Sequence, residues 1–426
     1  MATSLVSTGV QFPDATIQTT AATGSPTMAA NGSTIYNIIN SSAFAYASTA
    51  GSIYGSTNIL TTAPTLLAPN MDINAGLYYN PSVTTSAYSG QSNNWGGFGY
   101  YGGTTRMQYD HYAGRFVATL YINSGAQIGG INVYSTDGVT WYPFRNAYLA
   151  GYRSGNNLKV PAFNKYTGTK CVTFNLLATG WTNSNISTYS AANAYDESAS
   201  AQNNYQVINN DYYCQAPSFI DTGTQSTSGF YVVAYSSTQS NTVIAYTSAV
   251  SDGASWSLTY LGDRQQGSRV IGTSAELMFY CYNRGVMRSV DNGANWSNYN
   301  FINSSGGGTS SNAYWLYMAW NGSYWLGIAN AINNGLVTKA MGSGTSWTYL
   351  TNLGSLQQLW IGVAWNPTLG CWLAIRNNGI IYSNTSSDPN AGTWTEQRPA
   401  LGYFGNDNNF YNTCPIYVKA ASTFNF

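Results

Sequence analysis

Charge is scarce in this sequence. Lys and Arg number 15, Asp and Glu 15, and together they make up 7% of 426 residues with no net charge, against roughly a quarter in an average soluble domain. The basic residues are scattered singly, so no phosphate-tracking stripe or polybasic patch can be assembled from neighbours in sequence. Neither nucleic acid nor membrane is an expected partner. Histidine occurs once, at His111 in "YDHYAGRF", with no Ser or Cys nucleophile motif beside it, and reads as a turn residue rather than a base. The five cysteines (Cys171, Cys214, Cys281, Cys371, Cys414) are far apart, fall mostly in apolar strand patterns and show no zinc spacing. They read as reduced, buried thiols, and no metal or cofactor is expected. No run approaches the roughly 18 apolar residues of a membrane span, "MATSLVSTGVQF" lacks the basic and apolar regions of an export signal, and no Gly-rich phosphate loop stands out.

What the chain does hold is aromatic and hydroxylic. There are 36 Tyr and 13 Trp, and the apolar and aromatic content of 44% is too high for a disordered Asn/Ser/Gly-rich chain. Tyr and Trp favour strands and contact surfaces, so an all-β fold is expected. Asn, Ser and Thr then supply solubility that salt screens little.

A short turn ending in Trp recurs along the chain. Its copies are "STDGVTW" (Ser135, Asp137, Gly138, Trp141), "SDGASW" (Asp252, Trp256), "SVDNGANW" (Asp291, Gly293, Trp296), "GSGTSW" (Trp347) and "SDPNAGTW" (Trp394), with a weaker "SGQSNNW" ending at Trp95. Trp95 to Trp141 is 46 residues, Trp256 to Trp296 is 40, Trp296 to Trp347 is 51 and Trp347 to Trp394 is 47. The 115 residues from Trp141 to Trp256 hold close to two periods, so a copy without Trp is expected near 186–198, giving seven. About 25 residues before each Trp stands an apolar pair, then Asn or Asp and a tight turn, as in "QYDHYAGRFVAT", "AWNGSYWLGIAN" and "AWNPTLGCWLAIRN". Strand, hairpin, strand, loop, strand, Asp turn, strand is one four-stranded blade of a propeller. The sequence thus predicts a seven-bladed β-propeller, with six blades and a cap as the alternative. Where the turn has its Asp, the carboxylate accepts from backbone N–H groups and Gly permits a positive φ, while the Trp fills the space that widens between sheets.

These turns resemble the Asp-box repeats of sialidase-like propellers, "SVDNGANW" being the full match. The resemblance implies a structural role for the boxes, on the face away from the ligand. Near the start, "GVQFPDATIQTTAA" (Phe12, Pro13, Asp14, Ile17, Gln18) resembles a motif recurring in bacteriophage tail fibres and related virion proteins, with Ala15 where Gly is usual. In such proteins it implies attachment to the particle or intertwining with other subunits. Val10, Phe12 and Ile17 would line a hairpin too small to be stable alone. Residues 1–70 are accordingly read as a virion-attachment and oligomerisation segment and 71–426 as the propeller. The C-terminal "CPIYVKAAST" is expected to complete the sheet that contains Gly76–Asn80 and Trp95, which would remove exposed sheet edges.

A glycosidase on this scaffold would need two carboxylates about 5–10 Å apart, and a sialidase an arginine cluster besides. Asp137, Asp252 and Asp291 are used by turns. Glu276 and Glu396 lie in no catalytic signature, and Arg284, Arg288 and Arg376 stand near strand ends, where they could meet on one face or be solvated. The other use of a propeller is display. Loops between second and third strands carry Tyr121, Trp181, Tyr235, Tyr282, Arg284 and Arg376, a mixture of flat aromatic and polar groups suited to sugars. The reading that follows is a non-enzymatic virion protein, made in the host cytoplasm, that forms homo-oligomers, joins other virion proteins through its N-terminal segment and binds a host surface glycan or receptor. The alternatives are a capsid or tail decoration or connector protein, and a particle-borne glycan hydrolase.

Overall fold

The computed structural model describes residues 4–6, 9–11, 17–18, 34–38, 52–62, 64–68, 107–124, 127–138, 142–143, 160–175, 184–189, 204–208, 212–236, 241–253, 255–262, 269–273, 275–281, 285–299, 318–329, 335–340, 347–353, 360–376, 380–397 and 416–418. Among them every regular element is a β-strand. An N-terminal sheet holds β1 (Ser4–Val6), β2 (Gly9–Gln11) and β3 (Ile17–Gln18), with Gln11 opposite Ile17. The following strands are β4 (Thr34–Ile38), β5 (Ser52–Ser56) and β6 (Thr65–Ala68).

Six sheets then succeed one another along the chain. The first is β7 (Met107–Asp110), β8 (Arg115–Ser124), β9 (Gln127–Ser135) and β10 (Tyr142–Pro143), and the second β11 (Ala162–Phe163), β12 (Lys170–Asn175), β13 (Ser184–Tyr189) and β14 (Asn204–Ile208). The third is β15 (Tyr212–Cys214), β16 (Ser218–Ile220), β17 (Gly229–Ser236), β18 (Asn241–Ser248) and β19 (Ser257–Tyr260); β15 and β16 both pair with β17 and form one interrupted strand. Pro217, which has no N–H for a ladder, lies at that interruption. The fourth sheet is β20 (Ile271–Thr273), β21 (Glu276–Cys281), β22 (Gly285–Ser289) and β23 (Ser297–Tyr299). The fifth is β24 (Met318–Trp320), β25 (Tyr324–Ala329), β26 (Gly335–Ala340) and β27 (Thr348–Tyr349), and the sixth β28 (Trp360–Asn366), β29 (Cys371–Arg376), β30 (Ile381–Asn384) and β31 (Thr395–Gln397). Antiparallel neighbours follow chain order in each.

The last strand, β32 (Ile416–Val418), pairs antiparallel with β4, Tyr417 opposite Ile35, and so makes a closing sheet β32-β4-β5-β6 from both chain ends. This corrects the expected partner of the C-terminal strand: residues 34–68, read as part of the attachment segment, supply it, while Gly76–Asn80 and Trp95 lie outside the described residues. The alternation in "TIYNI" is short and sits in Ala-, Ser- and Thr-rich sequence, and the β-pattern is weak there because small polar residues give it little contrast.

The first strands of the sheets lie side by side: β32 against β7, β7 against β11, β11 against β16, β16 against β20, β20 against β24, β24 against β28, and β28 against β32. The series returns on itself, and the fold is an all-β propeller. The space between sheets is filled as the turn tryptophans require. Trp256 packs with Ala162 and Cys171 of the second sheet and Phe230 and Val232 of the third. Trp296 sits with Val233 and Ile244 of the third and Leu277 and Phe279 of the fourth. Trp347 joins Met278 and Val286 to Trp320 and Trp325, and Trp394 joins Leu326 and Ile328 to Trp372 and Ala374. Trp141 lies outside the described residues. Each indole is thus wedged between its own sheet and the one before it, where burial contributes on the order of 4 kcal/mol as an upper bound.

Candidate functional site

In the six consecutive sheets the antiparallel order puts the first-to-second and third-to-fourth connections at one end and the second-to-third connection at the other. The chain therefore builds two faces with different work.

The turn face is an interlocked rim. Ser135 Oγ donates to Asp137 and accepts from the Gly138 N–H at 2.7 Å. In the full box, Ser289 Oγ donates to Asp291 and accepts from the Gly293 N–H, Asn295 N–H donates to Asp291, and Trp296 Nε1–H donates to the Gly293 carbonyl at 3.0 Å. These donors, with the Asn295 backbone N–H foremost, hold the Asp291 carboxyl below its usual range. The hairpins bind their own turns and then the next sheet. Asn164 Oδ1 accepts from the Tyr166 N–H while Nδ2 donates to the Ala249 carbonyl and Asp252. Asn321 does the same with Ser323, Tyr324 and the Ser387 carbonyl, and Tyr231 OH donates to the Asn292 carbonyl at 2.9 Å.

One expectation fails here. Asp252 does not brace its own turn: it sits at φ +52° and accepts from Asn164 Nδ2, Thr167 Oγ1 and Thr169 Oγ1 of the second sheet. Its turn is held instead by Ser248 and Thr247 hydroxyls, which accept from the Ser251 and Gly253 N–H groups. Counted back from Trp256, Ser251 occupies the place that Asp291 holds before Trp296.

The loop face was expected to carry the contact residues. Tyr121 lies inside β8 opposite Gly130, because β8 and β9 run on as a long hairpin, and so it is a strand residue and not a loop residue. Tyr235 is likewise in β17, opposite Thr242, and half-buried. Trp181, Tyr282 and Arg284 lie outside the described residues, as do Phe12, Pro13 and Asp14 of the N-terminal motif. Arg376, the last residue of β29, is only 4% exposed. Its guanidinium carbon stands 5.0 Å from the ring centre of Trp360 and 4.4 Å from that of Tyr382, and its Nε and Nη2 have no hydrogen-bond partner among the described residues. Trp360 is its cross-strand neighbour; Ala374, two residues back on the same face, pairs with Tyr382, which pairs with Glu396. Tyr382 OH donates to Glu396 Oε2 at 3.2 Å. Burial holds the Arg376 pKa below its ordinary value.

The other candidate groups are engaged in structure. Glu276 is 1% exposed, pairs with Arg288 and accepts from Trp325 Nε1. Arg288 precedes the box residue Ser289, at the strand end opposite to that of Arg376, so the two do not meet on one face. Cys171, Cys214 and Cys371 are buried, and burial pushes the Cys371 thiol up to about 12. Among the described residues no group of three or more His, Cys, Asp or Glu could hold a metal ion, and no helix is long and apolar enough to cross a membrane.

No protein-family model matches the chain, and no curated protein matches it. Solved structures do resemble it. YCF48 bound to D1 peptide aligns at 14% identity and TM-score 0.33 over 55% of this chain and 66% of that one, just under two thirds of its length. The β-propeller domain of the trilobed protease from Pyrococcus furiosus aligns at 8% identity and TM-score 0.42 over 67% and 82%. The Neurospora crassa Pan2 WD40 domain aligns at 9% and 0.39 over 70% and 80%. At such values no family is assigned, and the ligands of those proteins say nothing of this one's.

Proposed function

We propose that this chain is a bacteriophage virion structural protein whose seven sheets are the seven blades of one propeller, carried on an N-terminal attachment segment and binding a host surface glycan with its loop face. The observation that carries the reading is the separation of the N-terminal sheet from the series of blades. The segment resembling virion attachment motifs contributes β2 and β3, which together with β1 pair only with each other among the described residues, and so small a sheet needs a partner to be stable. The return of the inner-strand series on itself supports seven blades. The turn face supports display: hydrogen bonds that join the second sheet to the third, the third to the fourth and the fifth to the sixth stiffen the frame that carries the opposite loops, and several copies on one particle would add weak contacts into avidity.

Purified protein is expected to compete with particles for adsorption to host cells, and enzymatic removal of surface polysaccharide is expected to abolish its binding. Labelled copies seen by electron microscopy only between other particle proteins, with no competition, would support the connector reading instead. Release of reducing sugar would support the hydrolase.

A further inference from the structure

A guanidinium with two donors buried and unpaired is an anomaly, because buried charged donors left without acceptors destabilise a fold. In Arg376 the two donors are Nε and Nη2, which share one edge of the guanidinium plane and present parallel N–H bonds at the spacing of the two oxygens of a carboxylate. The Trp360 and Tyr382 rings stand against adjacent sides of the guanidinium, their centres 5.5 Å apart and their planes at 74°, and neither supplies an acceptor to Nε or Nη2. The position is the β29 end that leads to the loop face. Glu396 is the nearby carboxylate on the same sheet face, and it is engaged by Tyr382 OH.

We infer that the Nε–Nη2 edge of Arg376 is a bidentate seat for the carboxylate of an acidic sugar. The inference rests on the glycan reading above and narrows it to uronate-type glycans. Neutral sugars would meet the loop face without filling this edge. Binding requires the surrounding side chains to part, since both donor atoms are out of contact with solvent. The interaction is a reversible ion pair with no covalent step.

The test uses the full chain with an oligosaccharide containing hexuronate and the same oligosaccharide after reduction of its carboxyl groups to alcohols, which preserves its shape. Wild-type protein is expected to bind the uronate form at least about tenfold more tightly. Arg376→Lys, which keeps charge but not the fork, and Arg376→Met, which removes both, are expected to lose that preference. Arg376→Met is further expected to melt no lower than wild type without ligand, because it removes the unpaired donors. Equal affinity of wild type for the two forms overturns the carboxylate seat and leaves glycan adhesion standing. Binding of neither form overturns adhesion and the seat together. A glutamate-rich peptide that competes as well as the uronate, through Arg376, assigns the fork to a protein carboxylate and overturns the sugar. A large fall in melting temperature for Arg376→Met makes the arginine structural and also overturns the proposal.

Discussion

Trp325 Nε1–H donates to Glu276 Oε2 at 2.9 Å, joining the second strand of the fifth sheet to that of the fourth. The same carboxylate pairs with Arg288, so its two oxygens serve a neighbour in the next sheet and a partner on its own. Both Glu276 and Trp325 are buried. Glu276→Ala would remove the carboxylate that pairs with Arg288 and accepts from Trp325 Nε1, and breaking a buried pair from one side costs about 3–5 kcal/mol. The midpoint of chemical unfolding should fall accordingly, with Glu276→Gln losing less because an amide oxygen still accepts from the indole.

Asp252 presents a different bond between sheets. Its donors, Asn164, Thr167 and Thr169, stand 88, 85 and 83 residues earlier in the chain. Asp252→Ala is expected to cost about 2–3 kcal/mol by removing the acceptor that three part-buried donors share, more than an alanine at a box aspartate that braces only its own turn. A double-mutant cycle with Thr169→Val should return a coupling of at least about 0.5 kcal/mol. Additive effects would show that the link between second and third sheets is not energetic.

The contrast between Asp291 and Asp252 shows what was legible in the sequence. The Ser289, Asp291, Gly293, Trp296 box is local, so its hydrogen bonds follow from spacing alone. Displacing the aspartate by one residue, with Ser251 in its place, sends the carboxylate to donors brought near only by the ring. The same physics separates the other outcomes. The repeating sheets and their tryptophan wedges were readable because period and burial are written into neighbouring residues. The partner of β32 was not, since pairing of the two chain ends is set by closure. Arg376 was picked out for its place near a strand end, but nothing in "AIRNNG" announces that it is buried against Trp360 and Tyr382 with two unpaired donors.

Trp347 tests the wedge directly. It is 2% exposed and packs against Met278 and Val286 on one side and Trp320 and Trp325 on the other. Trp347→Ala should leave a cavity between the fourth and fifth sheets and cost about 3–5 kcal/mol. Trp347→Phe, which fills part of the space, should recover a portion of that. Calorimetry distinguishes this from a surface effect, for which a change within about 0.5 kcal/mol is the norm.

The box carboxylate Asp291 should leave a signature in pH. Its pKa lies below the ordinary carboxyl value of 3.8 because the Asn295 N–H, the Asn295 amide and the Ser289 hydroxyl all donate to the charged form. A carboxyl depressed by folding adds stability that is present above the unfolded pKa and is lost as pH falls through the folded one. Melting temperatures of wild type and Asp291→Asn should therefore differ most above about pH 5 and draw together below about pH 3, as protonation removes from the wild type what the substitution removes from the variant. Curves that run parallel from pH 6 to pH 2 would mean that the turn does not depend on the charge, and that Ser289 and the Gly293 N–H suffice to hold it.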